Sequence, residues 1–594
     1  MKKKLTYLFI IFSLQLSIAQ LTVRNNSYIF VTDEVVFVED EVNLTEANTR
    51  FYLRDEAQLI QGASTTGNSG LGRLSVYQEG TTHNYAYNYW CSPVGNVSAN
   101  TTGNSIFIPN QNIFDVVDLT NSNLAGYSTT AYNGTSSPLN IASYWLWKYD
   151  PGVAYSEWDY VGESGTVDSG YGFTMKGTIG STPASGQQYD FRGKPNEGEI
   201  STSITIGQET LIGNPYPSAL DSALFIHDTN NISLLDTASL YFWEHDQTVS
   251  SHILTSYRGG YASFTINSAG TVPSFVPATF DSYNSDGTLN TTGSASTTGK
   301  QVRRYIPIGQ GFMVRGAATG SVLTSDSHRA YYRESSVNSE FFRTSQNDEN
   351  TALNLPQYTE DGLVIVPSDY KRFRLNIDFN NLYTRQLLHN FHDTATNGED
   401  YGLESKIYQA LDSDITWIQN NKALVTQANT YDVSLTIPLD LNLDDQQLIR
   451  FRIFDIQNFD ANQPIFIHDL ENDTYYDLRQ QDFEINLPSG NYSNRFEVTF
   501  QQENALSSND LIEENLIVLQ DNTNSNLVIK NPNALMLKTI ELFDVTGKQI
   551  IKKTLSNNTQ LITVSTKNLS DGVYVAKIKS DDHQLLSKKI VIKN

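Results

Sequence analysis

Four His-Asp pairs, at His227, His245, His392 and His468, are the places in this chain where a general base or a metal ligand could be assembled. His389 lies three residues before His392, so His389, His392 and Asp393 offer the spacing of a metal site. In a strand-rich context, however, His-Asp more often marks a turn or a strand end than a ligand pair. The hydrolase templates that announce themselves locally are missing: there is no His-Glu-x-x-His, no Gly-x-Ser-x-Gly elbow and no phosphate-cradling glycine loop before a helix. Two carboxylates could still meet from separate strands to cleave a glycoside, but with 65 acids that freedom selects nothing. The acid- and Asn-rich loops 440–445 and 469–473 carry oxygen ligands that would suit Ca²⁺, against a plainer reading as turn chemistry. No other cofactor is indicated. Cys91, the only cysteine, sits in an aromatic run and reads as a small buried residue.

Binding has better material than catalysis. Residues 247–300 are rich in Ser, Thr, Gly, Tyr and Asn and read as a long loop insertion, the kind that is functional when it occurs in a compact domain. Within it lie Tyr257, Arg258, Gly259, Gly260 and Tyr261, after Trp243 and His245. Sugar rings present apolar faces ringed by hydroxyls, so Tyr257 and Tyr261 could supply flat surface and Arg258 a donor. Trp243 has a competing role as core.

The elements that must position these residues are strands. With 33 Tyr and 28 Phe among many Thr, Ser, Asn and Gly, and almost no helical periodicity, the chain reads as all-β. At 594 residues it is multidomain. Residues 1–19 have a basic start, an apolar run too short to span a bilayer and a small residue at Ala19, the pattern of a signal peptide. Residues 20–65 hold short apolar runs that suit stacked solenoid rungs or hairpins. Residues 71–195 and 205–340 then repeat an order of signals: an aromatic-Pro turn (Tyr89 to Gly95; Gly213 to Ser218), an aromatic strand ending in Asp (Asp150; Asp246), and a Gly-Phe strand (Gly172, Phe173; Gly311, Phe312). A tandem duplicated β-domain accounts for this. Alternation at 373–379, 433–437, 483–487 and 496–500 predicts a β-sandwich over 357–502. Residues 503–515 are a polar linker, and 516–594 lack Arg and Trp.

Charge divides along the same line. The chain carries −25 overall, whereas residues 511–594 hold eleven Lys against eight acids, so the excess of acid belongs to the body. Such a field disfavours nucleic acid as a partner. No segment after the first 19 residues is long and apolar enough for a transmembrane helix.

The last 80 or so residues resemble the type-A C-terminal sorting domain of the type IX secretion system. The match runs through Ile540 to Lys548, with Asp544, Gly547 and Lys548 in a predicted hairpin turn, through Asn568 to Tyr574, with Gly572 and Tyr574 opening a strand, and through the terminal Lys588 and Lys589. Asp521 to Asn524 stands where such domains usually have Pro-Asn-Pro. The resemblance implies a small Ig-like β-sandwich, the type IX secretion machinery as partner, and an extracellular or outer-surface location. The duplicated region, through Gly213 to Ser218 and Gly309 to Phe312, is similar to modules common in secreted proteins of the Bacteroidetes; the resemblance assigns them no role. Two functions stand: a non-catalytic, adhesin-like protein that contacts a glycan or another cell surface, or an extracellular polysaccharide-acting hydrolase with a site built from distant loops.

Overall fold

Short β-branched and aromatic runs separated by Asn, Asp and Gly cannot bury their apolar faces alone, and residues 21–81 solve this by stacking. Leu21–Val23 pairs in parallel with Val42–Leu44, Tyr28–Thr32 with Arg50–Arg54, and Val35–Val38 with Gln58–Gln61. Parallel pairing at offsets of 21 to 23 residues makes these the rungs of a short β-solenoid. Arg73–Thr81 then pairs in parallel with Arg50–Arg54 and antiparallel with Gly186–Pro195, which carries the solenoid into the sheet that follows. The computed structural model describes residues 20–593 apart from 64–65, 82, 99–101, 180–185, 285–288, 296–299, 335–354, 503–515, 533, 556–558 and 581–584. The predicted signal peptide and linker lie outside the described residues.

The two segments with recurring signals share strand order and register. In the first, Tyr87–Cys91 pairs with Gly172–Lys176, which pairs with Trp147–Lys148. In the second, Glu209–Gly213 pairs with Gly311–Arg315, which pairs with Leu240–His245. Gly172 opposes Cys91 as Gly311 opposes Gly213, and Trp147 opposes Thr174 as Tyr241 opposes Met313. The register therefore equates Trp147 with Tyr241, two residues from the match that Asp150 and Asp246 suggest.

The segments also meet each other reciprocally. Trp90 bridges Gln310 while Tyr171 bridges Ile212, and these are equivalent positions exchanged. Cys91 donates its backbone N–H to the Gly309 carbonyl at 3.0 Å, and Gly213 donates to Gly170 at 3.2 Å. Such exchange is what a local two-fold produces. It requires backbones in close approach, and glycines provide it: a Cβ on Gly311 would lie 2.9 Å from Trp90 backbone atoms, and one on Gly213 2.4 Å from the Gln310 carbonyl oxygen. Gly170 and Gly309, at φ of 91° and 73°, occupy the left-handed region open to glycine.

Within residues 247–300, expected as a long loop, the stretch 259–283 instead extends the second segment's sheet, while 247–258 holds no strand. Gly259–Ile266 pairs with Leu240–His245, and Pro273–Val276 and Thr279–Tyr283 pair with Gly259–Ile266. Ser, Thr and Gly here are strand residues at close backbone contacts, a pattern that composition alone does not separate from loop.

Strands between 371 and 499 form one hydrogen-bonded path that encloses a core including Phe373, Leu375, Trp417, Leu439, Phe451 and Phe496. Two of its hairpins turn on Asn pairs at positive φ: Asn420 and Asn421 form a two-residue connection, and Asn380 and Asn381 begin a three-residue one. Residues 405–408 tie this part to the second segment, with the Lys406 ammonium 2.6 Å from Asp236 and the Ser405 hydroxyl 2.8 Å from that of Ser239.

Beside this tie, burial pushes the Glu404 carboxyl up to about 8, and the carboxylates of Asp400 and Glu399 add to it. The folded chain thus keeps a proton that the unfolded chain releases above about 4.5. The stability this contributes is present below that pH and is lost as pH rises to about 8. Glu404→Gln should therefore stabilise the protein by on the order of 2 kcal/mol at pH 8 and not at pH 4. Denaturant unfolding at the two pH values tests this; parallel pH profiles for the two proteins would rule it out.

The chain divides into two compact units, Met1–Phe500 and Gln501–Asn594. In the second, a three-stranded sheet (Ile517–Asp521, Asn526–Lys530, Leu561–Ser565) and a four-stranded sheet (Gln549–Thr554, Leu537–Asp544, Gly572–Ser580, Leu585–Ile592) bury one core of Leu527, Ile529, Ile540, Leu542, Ile562 and Ile578. This is the two-sheet sandwich expected of a sorting domain, and the protein is all-β and multidomain.

Candidate functional site

Between the two segments of the first unit lies a cavity of about 520 Å³, walled almost wholly by aromatic side chains. That volume is in the range that holds a small ligand. Tyr87 and Tyr89 come from the strand Tyr87–Cys91; Trp145, Trp147 and Trp158 flank the edge of the same sheet; Trp243, Tyr257 and Tyr261 come from the second segment. The rim carries Tyr144 and Tyr155, 45% and 46% exposed.

The walls are mutually braced. Trp243 lies parallel between Tyr89 and Tyr257, with ring centroids 5.9 Å and 6.0 Å away, and meets Tyr261 edge-on at 5.0 Å. The hydroxyls of Tyr89 and Tyr261 are 2.7 Å apart. Gly259 is required beneath the Trp243 indole, where a Cβ would come within 2.3 Å of the ring. Of the three residues proposed from sequence, Tyr257 and Tyr261 line the cavity and Arg258 is not among its lining residues. Tyr257 is also buried, so it supports the wall as well as forming it. His245, which precedes the 247–300 stretch, has its Nε2 at 3.2 Å from the Val249 carbonyl.

The group that sequence reasoning missed is Lys176, at the floor. Its ammonium lies 3.6 Å from the Trp145 ring centre, 4.6 Å from that of Tyr87 and 5.0 Å from that of Tyr257. It donates to His252 Nδ1 at 3.2 Å, and the other ring nitrogen, Nε2, faces Asn133 Oδ1 at 2.5 Å. That pairing fits a neutral imidazole, and burial, with Lys176 nearby, holds His252 down at about 4. Burial also pushes the Lys176 ammonium down to about 7. A signal for this residue was present: Lys176 follows Gly172 by four residues as Arg315 follows Gly311, but its cross-strand partner is Tyr87 where that of Arg315 is Glu209. That difference becomes visible only with the register known.

The other candidates are structural. His389 is buried against Phe373, Phe391 and Trp417, while His392 stacks on Tyr370 at 4.1 Å; the two do not converge. Asp469 accepts both Arg495 donors and Asn472, and Asp440 accepts from Ser493. Among the described residues no group of three or more His, Cys, Asp or Glu is placed to hold a metal ion. Cys91 is fully buried, which raises its thiol pKa and removes it as a nucleophile.

In the second unit, Asp544 closes the expected turn. Its carboxylate accepts the backbone N–H groups of Thr546 and Lys548, and Gly547 takes φ of 82°. Tyr574 donates its hydroxyl to Ser570, and Lys588 and Lys589 project to solvent from the last strand. Asp521, at the site of the departure from Pro-Asn-Pro, accepts from the backbone N–H groups of Thr523 and Asn524 and so makes a local turn.

Residues 3–500 match the family described as a domain of unknown function, DUF8693. The chain belongs to that family. In this DUF8693 protein, residues 522–593 match the secretion system C-terminal sorting domain. It is accordingly a type IX secretion substrate, exported to the outer surface or the medium. Among the described residues no helix is long and apolar enough to cross a membrane. No curated protein is similar to the chain. Among solved structures, a biofilm-associated protein's BSP domain shares 9% identity at a TM-score of 0.12, over 87% of this chain and 98% of that one. A tetra-tandem repeat from the extending region of a large adhesion protein shares 8% at 0.10, over 59% and 99%. Likenesses this slight carry no argument about the DUF8693 fold.

Proposed function

We propose that the exported protein is a non-catalytic, adhesin-like binder that holds a glycan in the aromatic cavity between its two related segments. The observation that carries this reading is the cavity itself: an open, ligand-sized space lined by four tryptophans and six tyrosines with a few hydrogen-bonding groups. Aromatic faces match the apolar faces of sugar rings, and bracing by Trp243 and its neighbours means little side-chain freedom is lost on binding. None of the lining residues is Asp or Glu, so two-carboxylate glycoside hydrolysis has no groups to use at this site. The shared register of the two segments supports their origin as two copies of one β-architecture, with the cavity at their junction.

A glycan array probed with the full secreted chain tests the reading. Replacing the rim residues Tyr144 and Tyr155 with Ala should weaken the best ligand about tenfold while leaving thermal unfolding unchanged, since both are half exposed. Tyr257→Ala should lose binding and stability together, because Tyr257 is buried against Trp243. Full binding by the rim variant would place the ligand elsewhere.

A further inference from the structure

The floor of the cavity differs from its counterpart in one chemically decisive respect. Arg315, the residue equivalent to Lys176, is held by Glu209 at 3.0 Å and 2.8 Å and donates to the Tyr408 carbonyl at 2.8 Å. Its charge is paired, and the Tyr408 ring centre lies 5.5 Å from its guanidinium. Lys176 is more deeply buried than Arg315, yet the place that Glu209 holds opposite Arg315 is taken by Tyr87, and among the described residues no carboxylate pairs with it. The groups facing it are the rings of Tyr87, Trp145 and Tyr257 and the neutral imidazole of His252, with His83 and His245 nearby. Aromatic faces attract a cation but do not neutralise it.

A buried cation without a counter-ion is costly to keep, and the charged form is correspondingly disfavoured until an anion arrives. Resting on the glycan reading above, we propose that the cavity selects an anionic sugar, one whose carboxylate or sulfate group pairs with Lys176 while its ring stacks on the tryptophan and tyrosine walls. The ligand supplies the missing charge that Glu209 supplies to Arg315. Thr174 also lines the cavity; its hydroxyl donates to the Trp145 carbonyl at 3.0 Å and keeps its acceptor capacity for a neighbouring sugar hydroxyl. The acidic body repels long polyanions, so the favoured ligand is a sparsely charged glycan with a single acidic residue.

The test uses the full secreted chain and three probes in calorimetric titration: a xylo-oligosaccharide bearing one glucuronate, the same compound with that carboxylate methyl-esterified, and a galactose disaccharide bearing one sulfate. At pH 6 the charged xylo-oligosaccharide should bind about tenfold or more tightly than its ester. That preference should vanish in Lys176→Gln and persist in Lys176→Arg. It should also decline above pH 7 as Lys176 loses its proton, since the uronate stays ionised throughout, His252 and His245 are held down at about 4 and about 3, and burial and Lys176 hold His83 below the ordinary histidine value. Tighter binding of the sulfated sugar, lost in Lys176→Gln, supports the proposal with sulfate as the anion. Thermal unfolding of Lys176→Gln should occur at no lower temperature, because a buried charge has been removed; should it unfold, Lys176→Arg and the pH profile still decide. Equal binding of the acid and its ester, or a preference surviving in Lys176→Gln, overturns the inference and leaves the glycan reading standing. Binding of no probe and no array glycan overturns both.

Discussion

Removal of residues 516–594 is expected to leave the protein in the periplasm, with the extracellular or surface-displayed amount falling below detection. The sorting match lies wholly within this segment, at 522–593, and the segment forms its core from its own strands. The first unit has separate cores, so the shortened chain should accumulate folded rather than be degraded. Fractionation with immunoblotting reads the result. The converse arm is a reporter with a signal peptide and residues 503–594 fused behind it, which should move outside. A truncated chain found outside at normal levels, or a fused reporter retained, would contradict the assignment.

The second large effect concerns the junction of the two segments. Gly213→Ala places a methyl group 2.4 Å from the Gln310 carbonyl oxygen and 2.5 Å from the Cys91 Cβ. Gly311→Ala places one 2.9 Å from the backbone N and O of Trp90. In each case the neighbours are backbone atoms or a buried side chain at the centre of paired strands, so neither can swing away. Each substitution should cost about 3 kcal/mol or more, with the cavity walls disordered as a consequence. Gly490→Ala, whose nearest atoms would lie 3.5 Å away at the end of a tyrosine ring, should change stability by less than about 0.5 kcal/mol. Chemical denaturation of the three variants measures this, and a wild-type midpoint for Gly213→Ala would show that the strands do not meet as described.

What the sequence disclosed follows from the range of the physics involved. The all-β class was legible because strand propensity and alternation are local, and the Asp544 turn because an Asx turn closed by Gly547 is written in five consecutive residues. Tyr257, Tyr261 and Trp243 could be nominated since they cluster within twenty residues. Lys176, Tyr87 and Trp145 could not, because they reach the same cavity across 76 to 170 residues and only strand register reveals that Lys176 faces a tyrosine. The strands at 259–283 escape sequence reading for a related reason: Ser, Thr and Gly are loop residues by frequency, yet here they lie in paired strands, with Gly259 and Gly260 where a Cβ would meet Trp243 and the Thr279 carbonyl. The two-residue offset between the Asp150 and Asp246 signals shows the same limit, since a shift of two keeps every side chain on its face and leaves the hydrophobic pattern unchanged.

The pairing of Arg315 with Glu209 bears on how such a protein would hold a surface. On the binding reading proposed above, two related halves could have offered two sites, but with Arg315 taken up by Glu209 and the Tyr408 carbonyl each chain would offer one. Carbohydrate contacts of this size are individually short-lived, so lasting attachment must arise from many copies engaging at once. Retention on a glycan-coated surface would then rise steeply with the number of copies displayed per cell, and the rate of secretion, more than the fit of any single cavity, would set how firmly the cell adheres.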